Sequence, residues 1–352
     1  MPILSSPTVR RIGQGLLAAL AGLVLSCVLF WTGMLDGFEA RTYDWRARVL
    51  AGPNPAAPPL RVIFLDQQSL DWGAVENGLS WPWPREVYGA VVDFCRRAGA
   101  GSLTFDVLFT EPSKYGVSDD LALGRAGLDF GRLVLPVFLG RETGNARTWP
   151  GFAPVHDPAS QRFEAWAVQS GVRPPELPRA SFPVEELATH AALLGNVHQN
   201  PDPDGVYRRI GLFALFDGRW VPSLALAAYL AAHPGASLAF DRQEMTLDGR
   251  ALAVDHSGQA LIRYHKPEGT YRFYSAASIV QSELLLREGK PPLVDMEEFR
   301  DAYVFLGFSA PGLFDLRPAP ISGVYSGVEI HAQALGNLLA GDFLREVPVY
   351  VS

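Results

Sequence analysis

Residues 15–35, GLLAALAGLVLSCVLFWTGML, carry no charged side chain over 21 positions. As a helix at about 1.5 Å per residue the segment extends about 31 Å, the thickness of a bilayer's hydrocarbon core. The apolar region of a cleaved signal peptide is shorter, roughly 7–15 residues, and ends in a small-x-small site. WTGMLDG is a poor site of that kind. The segment therefore reads as an uncleaved membrane anchor. Arg10 and Arg11 before it, with Asp36 and Glu39 after it, favour residues 1–14 inside the cell, although Arg41, Arg46 and Arg48 also follow. Ala18, Gly22 and Ser26 form a small-xxx-small stripe along which two such helices can approach, and a homodimer is expected.

Residues 36–59 read as a helical stalk followed by a proline-rich linker. Phe38, Thr42, Trp45 and Val49 share one helical face. AGPNPAAPP (51–59) cannot continue a helix, because proline lacks the amide donor and restricts the residue before it. A domain spanning 60–346 is expected beyond it.

That domain begins with a compact apolar run, LRVIFL, ending at Asp66. REVYGAVVDFCRRAG (85–99) then places apolar residues at 87, 91, 94, 95 and 98, the helical period, before Gly99. SLTFDVLF (102–109) predicts a second strand, SDDLALGRAG a helix with acidic first-turn residues, and RLVLPVFLG a third strand. Alternation at this spacing predicts an α/β fold with a mixed, mainly parallel sheet flanked by helices, preceded by one N-terminal transmembrane helix. Residues 141–182 lose the pattern and read as an irregular loop or insertion. Further on, PDPDG between two strand-like runs predicts a hairpin, 222–233 a helix, 302–310 a buried strand and 327–341 a final helix.

With 48% hydrophobic and 19% charged residues the chain is globular and not disordered. A net charge of −7 and no basic cluster remove the electrostatic footprint of a nucleic-acid binder. The two cysteines, Cys27 in the apolar run and Cys95 in a predicted helix, form no disulfide framework. No Cys/His metal spacing, phosphate loop or dinucleotide fingerprint occurs, so neither metal nor cofactor is expected.

Catalytic constellations are sparse. Ser309 follows a predicted strand, and Ser309, Asp315 and His331 occur in the chain order of one hydrolase class, but Pro311 stands where a nucleophile elbow needs glycine. No catalytic residue is assigned. The better candidates are ligand-binding. Asp66 and Asp106 sit at or near the carboxyl ends of predicted parallel strands, where open sheets place ligands. Arg85 begins the following helix and can hold an anion there or pair internally with a carboxylate. Glu329 and His331, near the start of the last helix, can join the same rim. In WPWPR (81–85) the prolines suit the approach to a helix, with Pro84 at its first position; Trp81 and Trp83 pack over the sheet edge or clamp a ligand.

Eight segments together resemble the CHASE2 family of extracytoplasmic sensor domains. The likeness lies in VIFLDQQSL (62–70), WPWPREVYGAVV (81–92), GAGSLTFDVLFTEPS (99–113) and LLGNVHQNPDPDGVYRRIGLF (193–213). It continues in PSLALAAYL (222–230), LIRYHKPEGTY (261–271), FLGFSAPGLFDLRPAPI (305–321) and GVEIHAQALGNLL (327–339). The resemblance, which extends over residues 38–341, implies a sensory module outside the membrane that detects a small-molecule or physical stimulus. It further implies a cytoplasmic output such as a nucleotide cyclase, histidine kinase, serine/threonine kinase or diguanylate cyclase. No such output lies in the 352 residues, so the sequence is expected to be a truncated receptor or a sensor that recruits a partner protein. No ligand-binding or catalytic residue carries over. Two further functions stay open beside it: an anchored exported hydrolase using Ser309 or the Asp66/Asp106 rim, and a protein-interaction module at the membrane.

Overall fold

The computed structural model describes residues 7–34, 36–54, 59–155, 170–241, 244–266, 270–313 and 315–345. Parts of the predicted cytoplasmic terminus, linker and 141–182 loop lie outside the described residues. The chain divides into two units, residues 1–50 and 51–352.

In the first unit, α1 (Pro7–Trp31) and α2 (Asp36–Leu50) are separate helices. Between them Thr32–Met34 form a turn in which Gly33 adopts φ +69°, a left-handed conformation that costs glycine little. Among the described residues, the stretch Arg10–Leu29 of α1 is the one span long and apolar enough to cross a membrane, with mean hydropathy 2.1.

The second unit is built on strands β1 (Leu60–Leu65), β2 (Ser102–Phe105), β3 (Leu133–Gly140), β4 (Arg179–Ser181) and β5 (Leu193–Asn196). Four short antiparallel groups use β6 (Arg209–Gly211), β7 (Phe213–Phe216), β8 (Arg219–Pro222), β9 (Leu238–Asp241), β10 (Glu244–Leu247), β11 (Arg250–Leu252), β12 (Gln259–Leu261), β15 (Leu316–Ala319) and β16 (Ser322–Ser326). Between β12 and β15, strands β13 (Arg272–Ser275) and β14 (Tyr303–Phe308) return to the main sheet, whose order is β13-β1-β14-β2-β3-β4, with β5 also on β3. Every pairing in it is parallel except β3 with β4.

Among the described residues, seven α-helices belong to the unit: α3 (Gln67–Asp71), α4 (Arg85–Arg97), α5 (Val117–Phe130), α6 (Glu185–Ala188), α7 (Leu224–Ala232), α8 (Ala276–Arg287) and α9 (Gly327–Ala340). Alternation along the central strands sends side chains to two cores. Ile63, Leu65, Leu103, Phe105, Val304 and Leu306 face α4, α5 and α8. Leu60, Val62, Val134 and Phe305 face α7 and α9. Burial on both faces explains why β1 reads as a continuous apolar run. The periodic residues of α4 are its inner face: Val91, Phe94 and Cys95 are buried, and a fully buried Val or Phe contributes roughly 1.5–3 kcal/mol.

The PDPDG hairpin does not form. β5 runs parallel to β3, whereas β6 pairs with β12, 52 residues downstream by the Arg209↔Leu261 register. Instead Asp202–Val206 closes a local turn, and Arg208, 3% exposed, holds Asp202 and Asp204 at 3.0 and 2.8 Å. Two carboxylates on one buried guanidinium fix the loop without a strand partner.

β1 and β2 lead to helices on one face of the sheet, while β14, which lies between them, leads through the β15–β16 hairpin to α9 on the other. Connections that part in this way open a crevice at the carboxyl ends of the strands.

Candidate functional site

Asp66 and Asp106 immediately follow β1 and β2, with β14 between them. Two strand spacings put their backbones about 10 Å apart, too far for a shared contact. Asp66 is engaged locally. Its Oδ1 caps α3 by accepting from Ser69 N at 2.8 Å, and also accepts from Ser69 Oγ at 2.6 Å and Ser275 Oγ at 2.9 Å. These bonds tie the end of β1 to the end of β13.

Arg85 is also engaged. Its Nε donates to Asp120 Oδ1 at 3.2 Å, an Nη donates to Glu111 O at 3.2 Å, and the guanidinium lies 4.2 Å from the centre of the Phe109 ring. Pro84 is the N-cap of α4, one position earlier than the sequence suggests, and supplies no capping group. Asp119 from α5 does so instead, accepting from Arg85 N at 2.8 Å and Glu86 N at 3.0 Å. The helix start that could hold an anion is thus occupied by the protein's own carboxylate.

The two tryptophans part company. Trp83 is 3% exposed and packs against Trp72 and Tyr88 with ring centres 6.0 and 6.2 Å apart. Its indole explains Gly73, where a Cβ would lie 2.6 Å from Trp83 Nε1. Trp81 is 41% exposed and meets the Phe308 ring edge-on at 5.8 Å, at the mouth of the crevice.

Asp106 is the candidate that faces the crevice. Its backbone amide continues the sheet, donating to Leu306 O at 2.7 Å. Its carboxyl makes no hydrogen bond among the described residues. Loss of water, and then the negative charge of Asp315, push it well above the ordinary carboxylate range, against the opposing pull of Arg317. Burial likewise pushes Asp315 up to about 6, while Arg317, at 3.4 Å from Asp315 Oδ1, opposes the shift. Asp106 thus lies within electrostatic reach of both Asp315 and Arg317, the former raising and the latter lowering its proton affinity.

Asp315 is pinned against the start of α9. Its carbonyl accepts from Gly327 N at 3.1 Å, and both carboxylate oxygens would lie 2.6 Å from a Cβ at position 327. Ser326 Oγ donates to Phe308 O at 2.8 Å, and Glu329 closes the capping box by accepting from Ser326 N at 3.2 Å. Glu329 also accepts from Tyr271 Oη at 3.3 Å, and burial pushes its carboxyl up to about 6. His331 is 2% exposed; its ring meets the Gln199 amide, and burial lowers its pKa to about 3. It is neutral at physiological pH.

The seven sequence candidates therefore do not form one site. Asp106, with Trp81 nearby on Phe308, faces the crevice; Asp66, Trp83, Arg85, Glu329 and His331 are held by internal partners. Ser309, Asp315 and His331 form no hydrogen-bonded relay: Asp315 meets Arg317 and His331 meets Gln199. In the sequence Asp315 enters only through the hydrolase order, and Arg317 not at all. The Asp-x-Arg spacing straight after a buried strand was the available signal. His198, after β5, is a further neighbour of Arg317, its pKa lowered chiefly by burial. Among the described residues no cluster of three or more His, Cys, Asp or Glu is arranged to bind a metal.

An open, mainly parallel sheet flanked by helices on both faces defines an α/β domain. The model of the CHASE2 domain matches residues 20–351, and the chain belongs to that family of extracellular sensor domains. No curated protein and no solved structure matches it.

Proposed function

We propose that this chain is the extracytoplasmic sensory module of a bacterial receptor in the plasma (inner) membrane. Residues 1–14 lie in the cytoplasm, 15–35 cross the membrane, 36–59 form stalk and linker, and 60–346 sense the stimulus outside. The module acts as a homodimer and passes its state to a cytoplasmic output, a nucleotide cyclase, kinase or diguanylate cyclase. The CHASE2 membership and the apolar span at Arg10–Leu29 support this reading. The observation that carries the location of the response is Asp106. It is a desolvated carboxyl opposed to Asp315 and joined by that residue to the first turn of α9. A stimulus that changes the charge or spacing of this pair biases the position of α9, a two-state element of the kind a ligand can shift.

Two experiments test it. Alkaline phosphatase fused after Gly52 is active in intact cells if the domain is outside; activity only of a cytoplasmic reporter at that point overturns the topology. A stimulus screen by thermal unfolding of the full chain is then run on wild type and Asp106→Asn. A midpoint shift in wild type that vanishes in Asp106→Asn supports the rim; a shift that persists places the response elsewhere.

A further inference from the structure

The apolar stripe of α2 faces outward. Phe38, Trp45 and Val49 are 67%, 63% and 62% exposed, whereas Asp44 on the opposite face is buried and Ala40, Tyr43 and Ala47 beside it are half-buried. A helix that packs on its own chain buries its apolar side, and α2 does the reverse. The stripe also carries no free hydroxyl, because Thr42 Oγ1 donates to Glu39 O at 2.9 Å. At 100° per residue, an arginine borders the stripe on each side. Arg46 lies on one flank, its Nε donating to Thr42 O at 3.2 Å within the helix, and Arg41 lies on the other. Glu39 stands in the first turn, where the helix dipole favours an acidic group.

The place of α2 in the chain limits what can cover that stripe. The apolar span of α1 ends at Leu29, the exposed Trp31 follows, and α2 starts five residues later at Asp36. Tryptophan at the end of a span marks the headgroup level. Thr32 N donates to Val28 O, Met34 N to Leu29 O and Asp36 N to Gly33 O, which folds the connection into a turn. Even fully extended, five residues reach only about 18 Å, so α2 begins at the bilayer surface. A second copy of α2 is the other surface within reach, and the 4-3-4 spacing of Phe38, Thr42, Trp45 and Val49 is that of a coiled-coil seam. Chains anchored in the same direction would pair these helices in parallel. Arg41 of each would then oppose Arg46 of the other, at the flanking positions where coiled coils place opposite charges. A phospholipid surface carries no such conflict: its phosphates accept from both arginines while the arginine stems lie along the acyl chains.

We propose that α2 lies flat in the bilayer surface as an interfacial helix, with Phe38, Trp45 and Val49 among the acyl chains and Arg41 and Arg46 at the phosphates. The inference rests on α1 crossing the membrane and on no property of the Asp106 rim. Insertion of such a helix depends on lipid packing and curvature. The stalk thereby puts the module in direct contact with the state of the bilayer.

The test uses the full chain in phosphatidylcholine nanodiscs, with Cys27→Ser and the buried Cys95 left unlabelled. Nitroxides are placed on single cysteines, Leu20→Cys in the span, Thr42→Cys on the stripe and Ala47→Cys opposite it. Electron spin resonance then compares their collisions with oxygen, which concentrates in lipid, and with an aqueous nickel chelate. The Thr42 label should match the Leu20 label in oxygen contact and lose its nickel contact, while the Ala47 label keeps nickel contact. Trp45→Glu should return the Thr42 label to nickel contact and leave the Leu20 label unchanged. Nickel contact at Thr42 with Leu20 in lipid overturns the proposal and spares the anchor; nickel contact at both overturns both. Spin–spin broadening at Thr42 with little contact to either probe overturns it in favour of a helix pair. Equal oxygen contact at Thr42 and Ala47 overturns the flat placement.

Discussion

Arg85 and Asp120 are joined across the α4–α5 interface, Nε to Oδ1 at 3.2 Å, with 12% and 1% of their side chains exposed. The residue that stands out in the sequence as an anion ligand is thereby a strut between two helices. Removing one member of a buried pair strands the other charge, a loss of about 3–5 kcal/mol. Arg85→Ala should lower the urea midpoint by a corresponding amount, with the cation–π contact to Phe109 lost as well. An unchanged midpoint would show that Asp120 does not depend on Arg85.

Asp315 gives the domain an acid-side pH dependence. Its folded pKa, about 6, is raised from an ordinary value of 3.8, so the folded state binds the extra proton. The stabilisation is present in full below the unfolded pKa and is lost as pH rises through about 6. Asp315→Asn removes that dependence. Its stability relative to wild type should rise by on the order of 2 kcal/mol between pH 4 and pH 8, measured by paired urea titrations. A pH-independent difference would show that the carboxyl is solvated.

His331 works in the opposite direction. Burial lowers its folded pKa from 6.5 to about 3, so the folded state excludes a proton that the unfolded chain accepts. Stability is full above 6.5 and declines as pH falls toward 3. His331→Gln lacks this term, and its stability deficit against wild type should shrink by roughly 3 kcal/mol between pH 7 and pH 4. A deficit that stays constant across that window would mean the imidazole is reached by water.

Gly307 pairs with Phe64 in the sheet and leaves no room above itself: a Cβ there would lie 2.5 Å from Val328 Cβ at the start of α9. Gly307→Ala should destabilise the domain by about 1–3 kcal/mol through overpacking. Val328→Gly in the same chain should recover part of the loss caused by the first change. Strict additivity of the two would place α9 further from β14 than it stands.

The fold was legible wherever one local pattern was sufficient. The run 60–65 and the helical period of 85–97 each announce their element through neighbours a few residues away. Asp217-Gly218 and Asp248-Gly249 close β7–β8 and β10–β11 with both aspartates at positive φ, 50° and 48°, two hairpins not singled out in the sequence. PDPDG misled because its composition reports a turn and nothing in it reports which strand lies opposite.

The candidate site was less legible. Asp119 and Asp120 look like first-turn acids of their own helix, yet between them they cap α4 and hold Arg85, 34 and 35 residues away in sequence. Asp66 looks like a rim ligand and is consumed by Ser69 and Ser275. A carboxylate's role depends on which donors reach it first, and those donors come from distant segments.

By itself the sequence determined the apolar span, the α/β class and the positions of the longer helices and of strands β1, β2, β3 and β14, because hydrophobic periodicity acts over a few residues. Only the tertiary structure decided strand order and the departure of β14 toward α9. It also singled out Asp106 as the candidate left facing its like-charged neighbour. Desolvation and charge pairing are set by what packs through space, and no local pattern encodes them.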